Sequence, residues 1–419
     1  MEKAIELKAM GEFFDKFNKL MFELKLENKF RKTYHIEILK ETNYGYFVHV
    51  YLSTGLSFEA LKEKRIIIEQ NLKCLWIMKT EPFQEYAEVQ IVLRSVDKDL
   101  DYENPKIKPW EIYLGLNFAM KVLKNNLNDR CMVLLAGSTG TGKTRFIYLI
   151  LLSWILGCSP SDVRLYISDI AKNEYSIFKN VNHVKWYASE LDELCAMMKE
   201  LQKIFQSRKK IISSYIEQGL ATNIYGYNKL NKSKKLSYCY VLVDEFSVLI
   251  PDKTDSKTEK EQKEFILDVI KTLEKTGRSY GIFPIIATQK TTRDEIPSII
   301  KNMSAVRLSF RANDGISSEV IMGDSSAMGL ADRIAVYSTN GGSIQDYLFS
   351  PKIEIETVLK LLEPHLKNKQ ISSANQQKSK SNIIKGKVTT IPKSMAKDDS
   401  KKVIQLFSPS KKEDDYIDY

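Results

Sequence analysis

The sequence has few of the residues that bind metals or form disulfides, and it has no long apolar run. Its five cysteines include no Cys-x-x-Cys pair and its four histidines show no metal-ligand spacing, so we expect reduced thiols and no structural metal. The longest apolar run, residues 146–157, is too short to cross a bilayer, and no signal-peptide pattern opens the chain. These absences exclude a disulfide-rich secreted protein and an integral membrane protein, and they predict a cytoplasmic location.

The sequence also lacks an excess of acidic residues. The net charge is +10, and residues 367–419 contribute twelve Lys against six acids, with no apolar periodicity. Such a segment is typical of a solvated, flexible extension, and less often of an arm that binds nucleic acid. The composition of the 419-residue chain, 43% hydrophobic and 28% charged, is that of a globular protein. We therefore expect a folded body followed by a flexible Lys- and Ser-rich tail over residues 366–419.

The pattern of residues 1–115 indicates a small α+β accessory module. An amphipathic helix within residues 1–30 is interpreted as a packing or oligomer-contact helix, with a membrane-surface helix as the alternative. The other elements of this module are predicted at residues 34–41 (strand), 45–53 (strand), 57–73 (helix) and 89–94 (strand).

From residue 131 the pattern changes to short, continuously apolar strands separated by helical segments. This alternation is typical of a buried parallel sheet. Residues 334–349 predict a closing hairpin that turns at Asn340-Gly341. The sequence thus predicts an α/β fold with a mainly parallel sheet, forming a second domain over residues 116–365. The parallel strands are predicted at residues 131–136, 164–169, 238–245, 283–289 and 306–310.

A phosphate-binding loop follows the first of these strands. Residues 137–144, Gly-Ser-Thr-Gly-Thr-Gly-Lys-Thr, fit the pattern G-x-x-x-x-G-K-[ST], in which glycines let backbone N–H groups close around a phosphate. Lys143 would bridge the β- and γ-phosphates, and the Thr144 hydroxyl would hold Mg²⁺. The predicted cofactors are therefore ATP and Mg²⁺. The predicted nucleotide contacts are Gly137, Ser138, Thr139, Gly140, Thr141, Gly142, Lys143, Thr144 and Arg145.

A second motif, residues 240–246 (Tyr-Val-Leu-Val-Asp-Glu-Phe), supplies acidic groups. Its apolar run would deliver Asp244 to the carboxyl end of a strand, where Asp244 would bind the magnesium ion. Glu245 would take a proton from the attacking water. Gln289, at the end of another predicted strand, would contact the γ-phosphate or that water. Together these residues predict ATP hydrolysis and not ATP binding alone.

Several segments, in order along the chain, resemble the FtsK/SpoIIIE branch of the HerA/FtsK superfamily, and they look closest to the members of conjugative elements and plasmids. The resemblance implies a RecA-like motor over residues 116–365 that translocates double-stranded DNA as a ring-shaped homo-oligomer, a hexamer. Asp169, Glu174 and His183 fall at matching positions. The matching segments are residues 134–144, 168–183, 222–228, 240–250 and 277–311.

The resemblance also assigns roles to basic residues. Arg278 matches an arginine finger that acts in trans on the γ-phosphate of a neighbouring subunit, with an ordinary surface salt bridge as the alternative. Arg311 is a second candidate for that role. Lys290 and Lys301 match positions that contact DNA phosphates, with solvated surface positions as the alternative.

Two departures from the family pattern limit what the resemblance implies. At two later positions where the family has basic residues, this chain has Gly315 and Glu319, which weakens the predicted binding of DNA. The tail shows no pattern of the winged-helix module of the chromosomal members. We therefore do not expect this chain to read chromosomal polarity sequences.

These expectations combine into a DNA translocase that serves the transfer or maintenance of a mobile genetic element. The further partners implied are a relaxase and a membrane transfer-channel protein, which would recruit a cytoplasmic motor to the membrane. One alternative is an ATPase that drives protein export, which tandem motor copies would favour, whereas this chain has one copy. The other is a non-processive, ATP-dependent assembly switch, against which the presence of Glu245 and Arg278 argues.

Overall fold

The computed structural model describes most of residues 2–367. The predicted tail from residue 368 onward and the predicted DNA contacts Lys290 and Lys301 lie outside the described residues. The internal ranges that the structure does not describe are 43–44, 81–82, 94–101, 119–120, 129–131, 290–303, 305 and 340–343.

The N-terminal module is an antiparallel four-stranded sheet in the order β1-β2-β4-β3, covered by helices. Phe17 of the first helix is fully buried and stacks on Trp76, with ring centroids 5.2 Å apart. This contact gives the predicted amphipathic helix a packing role. The elements are α1 (Glu2–Glu23), β1 (His35–Thr42), β2 (Gly45–Tyr51), α2 (Phe58–Glu63), α3 (Arg65–Leu72), β3 (Leu75–Lys79) and β4 (Tyr86–Val92).

Two expectations for this module need correction. The helix predicted over residues 57–73 is two helices, because the chain bends at Lys64, whose φ and ψ are −88° and 2°. Strand β3 was not predicted, since it follows α3 within three residues and its sequence, Leu-Trp-Ile-Met-Lys, lacks strict alternation.

The second sheet has ten strands in the order β6-β5-β14-β13-β12-β7-β11-β10-β8-β9 within the described ranges. The six strands from β12 to β9 are parallel, and β13, β14, β5 and β6 extend the sheet in antiparallel fashion. The predicted α/β class with a mainly parallel sheet is confirmed. The strands are β5 (Glu111–Leu116), β6 (Val122–Asn126), β7 (Val133–Ala136), β8 (Val163–Ser168), β9 (Val184–Ala188), β10 (Tyr238–Val243), β11 (Ile282–Thr288), β12 (Val306–Ser309), β13 (Ile334–Thr339) and β14 (Ile344–Phe349).

Helices cover both faces of this sheet. The helices are α4 (Lys143–Gly157), α5 (Leu191–Glu217), α6 (Ile224–Leu230), α7 (Lys257–Tyr280), α8 (Gly315–Met322) and α9 (Ile355–Leu362). One face carries the almost entirely buried α4, whose Trp154 ring stacks on Tyr240 of β10 at 3.7 Å. The other face carries α5 and α7, packed against each other. Burial on both faces explains why the parallel strands have continuous apolar sequences.

Three strands of the large sheet, β5, β6 and β9, were not predicted. The boundary placed after residue 115 falls within β5, which pairs with β6 and β14. The predicted hairpin of residues 334–349 is present as the antiparallel pair β13 and β14, and its turn at Asn340-Gly341 lies outside the described residues.

Polar contacts join the two sheets through β14. Lys79 Nζ lies 2.6 Å from the Asp346 carboxylate. Arg65 donates to the Tyr347 hydroxyl and, over 3.1 Å, to the Ser326 carbonyl oxygen. The module is therefore fixed to the antiparallel part of the large sheet. Among the helices of the described residues, none has the length and apolar content that a membrane span requires.

Candidate nucleotide site

The predicted phosphate-binding loop connects the end of β7 to the start of α4 at the carboxyl edge of the parallel strands. Two glycines are required by its geometry. Gly142 has a φ of 111°, which disfavours a side chain, and a Cβ atom on Gly137 would lie 2.8 Å from the Cβ of Phe310. The backbone N–H groups that open α4 carry the positive end of the helix dipole, which suits a phosphate.

Neighbouring segments hold this loop in place. The Ser138 N–H donates to the Arg311 carbonyl oxygen over 3.2 Å, and the Arg333 N–H donates to the Thr141 carbonyl oxygen over 3.0 Å. The Thr141 hydroxyl closes the loop on itself by donating to Ser138 O over 2.7 Å. Because Arg311 follows β12 and Arg333 precedes β13, the loop is fixed by the sheet beside it.

A buried ion pair lies beneath the loop. Lys143 Nζ is 2.9 Å from Asp244 Oδ1, and the two side chains are only 3% and 1% exposed. Asp244 comes directly after β10, which places its carboxylate at the same edge as the loop. Within the described residues, the second carboxylate oxygen of Asp244 is buried without a hydrogen-bond partner. That oxygen can accept a ligand that enters the site.

The Thr144 hydroxyl extends the site on the other side. It donates to a carboxylate oxygen of Glu174 over 2.7 Å. Thr144, Asp244 and Glu174 thus supply oxygen atoms from three segments, and hard oxygen donors of this kind suit Mg²⁺. The residues present therefore fit the predicted magnesium ion, with Glu174 as an acidic group additional to those predicted.

Glu245 turns the chain directly after Asp244. Its φ and ψ of 54° and 63° are left-handed, an unusual conformation for a residue with a side chain and one that costs about 1–3 kcal/mol. Its carboxylate accepts hydrogen bonds from the Thr288 hydroxyl (3.1 Å), the Gln289 N–H (3.2 Å) and the Ser247 hydroxyl (2.9 Å). These bonds hold the carboxylate at the ends of β10 and β11.

Gln289 connects Glu245 to the phosphate-binding loop. Its backbone N–H contacts Glu245, while its side-chain oxygen accepts a hydrogen bond from the Thr139 hydroxyl over 2.9 Å. The structure thus brings Lys143, Asp244 and the Glu245–Gln289 pair to one edge of the sheet. This grouping can bind a magnesium–nucleotide and hold a base beside its terminal phosphate.

Arg278 does not join this group. It is an exposed residue in the last turn of α7, which precedes β11, whereas Gln289 follows the end of that strand. Since β11 has seven residues at about 3.3 Å each, roughly 20 Å separate the two edges. Arg278 is therefore placed away from the nucleotide site of its own chain.

Two other predicted arginines lie near the loop but bond elsewhere. The Arg311 guanidinium pairs with Asp332 at 3.0 Å and donates to Leu330 O over 3.3 Å. The Arg145 guanidinium lies 5.5 Å from the centre of the Tyr148 ring. Within the part of the chain that the structure describes, neither side chain hydrogen-bonds to the phosphate-binding loop.

Sequence reasoning missed the network that positions Glu174. The Asp169 carboxylate accepts from the N–H groups of Glu174 (3.0 Å) and Tyr175 (2.6 Å) and from the Tyr187 hydroxyl (2.7 Å). Burial raises the pKa of Asp169, and these hydrogen bonds oppose the rise. The resemblance had matched Asp169 and Glu174 without giving them a role. Nothing in the sequence pattern indicated Arg333, because its N–H reaches the phosphate-binding loop from a segment that is distant in sequence.

Comparisons with known proteins agree with this geometry. The sequence model of the FtsK/SpoIIIE family matches residues 105–293. Among curated proteins, the DNA translocase FtsK of Staphylococcus aureus (strain Mu50 / ATCC 700699) is 28% identical over 279 residues, covering 62% of this chain and 33% of the relative. The DNA translocase FtsK of Campylobacter jejuni is 28% identical over 290 residues, covering 65% and 28%. This chain spans about a third of the length of the curated relatives it matches.

Solved structures share the fold. The pCW3 conjugation coupling protein TcpA, a monomer form with ATPγS, aligns with a TM-score of 0.59 at 18% identity, covering 84% of this chain and 99% of that one. ATPases 2 and 3 of EssC from Geobacillus thermodenitrificans align with a TM-score of 0.53 at 15% identity, covering 68% and 53%. At these identities the likeness concerns the fold alone. The sequence matches identify residues 105–293 as an FtsK/SpoIIIE-type P-loop ATPase domain.

Proposed function

We propose that this protein is an ATP-driven translocase of double-stranded DNA that works as a ring-shaped homo-oligomer, a hexamer. The observation that carries the proposal is the position of Gln289. It contacts both the phosphate-binding loop through Thr139 and the proposed base Glu245. The next residue is Lys290, the first of the two lysines that the family resemblance assigns to DNA. The nucleotide site and the proposed DNA contact are thus adjacent in the chain.

In this proposal, ATP binding exchanges the partner of Lys143. The Lys143 ammonium would pair with the phosphates in place of Asp244, and Asp244 and Thr144 would then be available to hold Mg²⁺. The ion, when bound, neutralises charge on the phosphates. Glu245, held by Thr288 and the Gln289 N–H, accepts the proton of the attacking water.

The distance of Arg278 from its own site supports action between subunits. The opposite edge of the sheet is out of reach of the phosphates in the same chain, but a neighbouring chain in a ring could present its Arg278 to them. An arginine at the γ-phosphate would stabilise the charge that develops during transfer. Each site would then be complete only at a subunit interface.

The proposed setting is the transfer or maintenance of a mobile genetic element. It is supported by the fold likeness to a conjugation coupling protein and by the sequence likeness to DNA translocases. We include in this proposal a cytoplasmic location with recruitment to the membrane by a partner, and a relaxase and a transfer-channel protein as partners. The proposed division is an accessory module over residues 1–115, a motor over 116–365 and a flexible tail over 366–419.

A second candidate function is protein export. The cytoplasmic domain of the type VII secretion ATPase EccC from Thermomonospora curvata aligns with a TM-score of 0.51 at 14% identity, covering 65% of this chain and 33% of that one. A motor of this fold could therefore act on a polypeptide. A non-processive assembly switch remains the third alternative, which the presence of a positioned Glu245 disfavours.

The deciding experiment measures ATPase activity against the length and salt dependence of added DNA. If duplex DNA is the substrate, long double-stranded DNA of arbitrary sequence should raise the rate, and salt should reverse the effect by screening phosphates. The variant Lys290→Ala/Lys301→Ala should lose this stimulation, and the salt slope should become shallower by about one unit for each lost contact. A variant at two exposed lysines of the N-terminal module, Lys16→Ala/Lys32→Ala, is the matched control.

The outcomes separate the candidates. An active ATPase that is indifferent to DNA would favour the protein-export function. A double variant that is still fully stimulated would move the DNA path away from Lys290 and Lys301. ATP binding without turnover, with or without DNA, would favour the assembly switch.

A further inference from the structure

A cavity of ≈ 260 Å³ opens at the edge of the large sheet opposite the nucleotide site. Its position follows from the topology, because Asp162 and Tyr238 of its wall lie where the parallel strands β8 and β10 begin. The phosphate-binding loop lies where such strands end. The residues of the wall that bear on its chemistry are Trp110, Tyr225, Lys229, Lys232, Lys235 and Tyr238.

Aromatic rings form one side of this cavity, which we call the aromatic–lysine cavity. Trp110 is half-buried and Tyr225 is 41% exposed, and their ring planes meet at 74° with centroids 5.0 Å apart. Tyr238, only 3% exposed, lies behind them with its ring 6.0 Å from Trp110. Lys108 Nζ lies 5.7 Å from the centre of the Trp110 ring. The rings of Trp110 and Tyr225, at nearly a right angle, leave a notch in which a flat ring can stack on one and meet the edge of the other.

Lysines form the other side. Lys229 lies in the last turn of α6, and Lys232 and Lys235 lie in the connection from α6 to β10. All three are exposed. In the described part of the chain, no carboxylate pairs with any of the three. The one carboxylate of the wall, Asp162, accepts a hydrogen bond from the Ser159 hydroxyl over 2.8 Å and is thereby held in its own turn.

We propose that the aromatic–lysine cavity binds single-stranded nucleic acid. An unpaired base would stack in the notch between Trp110 and Tyr225, while successive backbone phosphates would contact Lys229, Lys232 and Lys235. Flat aromatic faces next to a row of cations are the two features that single-strand binding sites combine, since every base has a π face and every nucleotide a phosphate.

Two features favour this ligand over others. A duplex keeps its bases stacked inside, so only a strand with unpaired bases offers a ring to the notch. The cluster of lysines suits a nucleic-acid backbone, in which every nucleotide carries a charged phosphate, whereas the charges of an acidic peptide depend on its sequence. The cavity lies at the edge of the sheet opposite the nucleotide site, so binding there should not require ATP hydrolysis.

The test uses the full chain without ATP and a fluorescently labelled oligothymidine of about 20 nucleotides, with binding followed by anisotropy over a series of salt concentrations. The variant Trp110→Ala/Tyr225→Ala should weaken binding at least tenfold with little change in salt slope, because it removes stacking and leaves the charges. The variant Lys229→Ala/Lys232→Ala/Lys235→Ala should weaken binding and make the slope shallower by up to about three units.

Two controls keep the result specific. The variant Lys16→Ala/Lys32→Ala/Lys40→Ala loses the same charge from exposed positions of the N-terminal module and should bind as the unchanged chain does. Trp110→Phe retains a ring and should retain most of the binding, while losing the quenching of tryptophan emission that a stacked base produces. Circular dichroism of each variant shows that it is folded.

Three results would overturn the proposal: equal binding by the aromatic double variant, equal weakening by the control lysines, or displacement of the oligothymidine by an acidic Glu/Tyr copolymer more readily than by unlabelled oligothymidine. The last result would make the cavity a peptide site. Failure of double-stranded DNA to stimulate the ATPase is a separate result, which bears on the proposed translocase function and leaves this binding assay unaffected.

Discussion

Replacing Lys143 by methionine tests whether the nucleotide site is held together by its buried ion pair. The Lys143 and Asp244 side chains are 3% and 1% exposed, with 2.9 Å between the paired atoms. At an effective dielectric constant of about 20, two unit charges at this distance attract by about 6 kcal/mol before desolvation is counted. Removing one partner leaves the other charge buried and uncompensated, which costs about 3–5 kcal/mol.

We therefore expect Lys143→Met to lower the free energy of unfolding by about 3–5 kcal/mol in urea titrations without nucleotide. Asp244→Asn should have a similar effect, because it leaves the Lys143 ammonium group buried without a negatively charged partner. The double variant Lys143→Met/Asp244→Asn should be less destabilised than the sum of the two single variants, since neither charge then remains buried.

The matched control is a pair on the surface. Lys19 and Glu23 lie 3.9 Å apart with side chains 79% and 59% exposed, so Lys19→Met should change the free energy of unfolding by less than about 1 kcal/mol. If Lys143→Met were as stable as the unchanged protein, or if the two single effects were additive in the double variant, the ion pair would not hold the empty site together. That result would remove the proposed exchange of Lys143 from Asp244 to phosphate.

Three further predictions concern the last two turns of α7, which precede β11. Gly277→Ala should lower the free energy of unfolding by about 1–3 kcal/mol, because the new Cβ would lie 2.3 Å from the Ile282 carbonyl oxygen; a stabilised variant in urea titrations would contradict this crowding. Burial raises the pKa of Glu274 from 4.5 to about 7, so the folded state retains a proton that the unfolded state loses, and stability should fall as the pH rises from about 4.5 to about 7. Urea titrations at pH 5 and pH 8 should show this fall in the unchanged protein and not in Glu274→Gln. Arg208→Lys should lower kcat for ATP more than it changes KM. The buried Arg208 guanidinium donates to Tyr280 O (2.8 Å) and Gly281 O (3.1 Å), and these bonds fix the end of α7, where the proposed finger Arg278 lies. An unchanged kcat would mean that the end of α7 needs no such support.

The parts of the fold that sequence analysis predicted are those in which local sequence and tertiary environment agree. Strand β11 has the sequence Ile-Phe-Pro-Ile-Ile-Ala-Thr, and every one of its residues is buried. Burial on both faces of the sheet therefore explains its continuous apolar run. The phosphate-binding loop was predicted because its glycines are required by backbone geometry within a few residues.

The strands that were missed depend on partners distant in sequence. Strand β6, Val-Leu-Lys-Asn-Asn, is a half-exposed edge strand whose sequence has almost no strand preference, and it exists because β5 pairs with it. Strand β9 combines Lys185 with partly buried aromatic residues and is likewise defined by its pairing with β8. Pairing of this kind leaves little trace in a local pattern.

The site shows the same division. The residue types at Lys143 and Asp244 followed from motifs, but their contact joins positions 101 residues apart and only the fold reveals it. Glu174 reaches Thr144 because hydrogen bonds to Asp169 shape the intervening turn. Spacing along the chain gives neither of these contact distances. The sequence therefore predicts the chemical groups of the site more easily than the distances between them.

Strand β11 links the two edges of the sheet, and this bears on how neighbouring sites could be coupled. Its seven residues are buried, and it is hydrogen-bonded to β10 on one side and β7 on the other, so it can move only with the sheet. Helix α7, which precedes it, carries Arg278 in its last turn, and the residue after β11 is Gln289, which contacts the phosphate-binding loop. In the proposed ring, the arginine that a chain offers to its neighbour and the glutamine that contacts its own loop are therefore joined by a rigid element. A movement of β11 at one nucleotide site would displace the proposed finger, Arg278, at the next site. Coupling of successive hydrolysis events around the ring would then require no additional structural element.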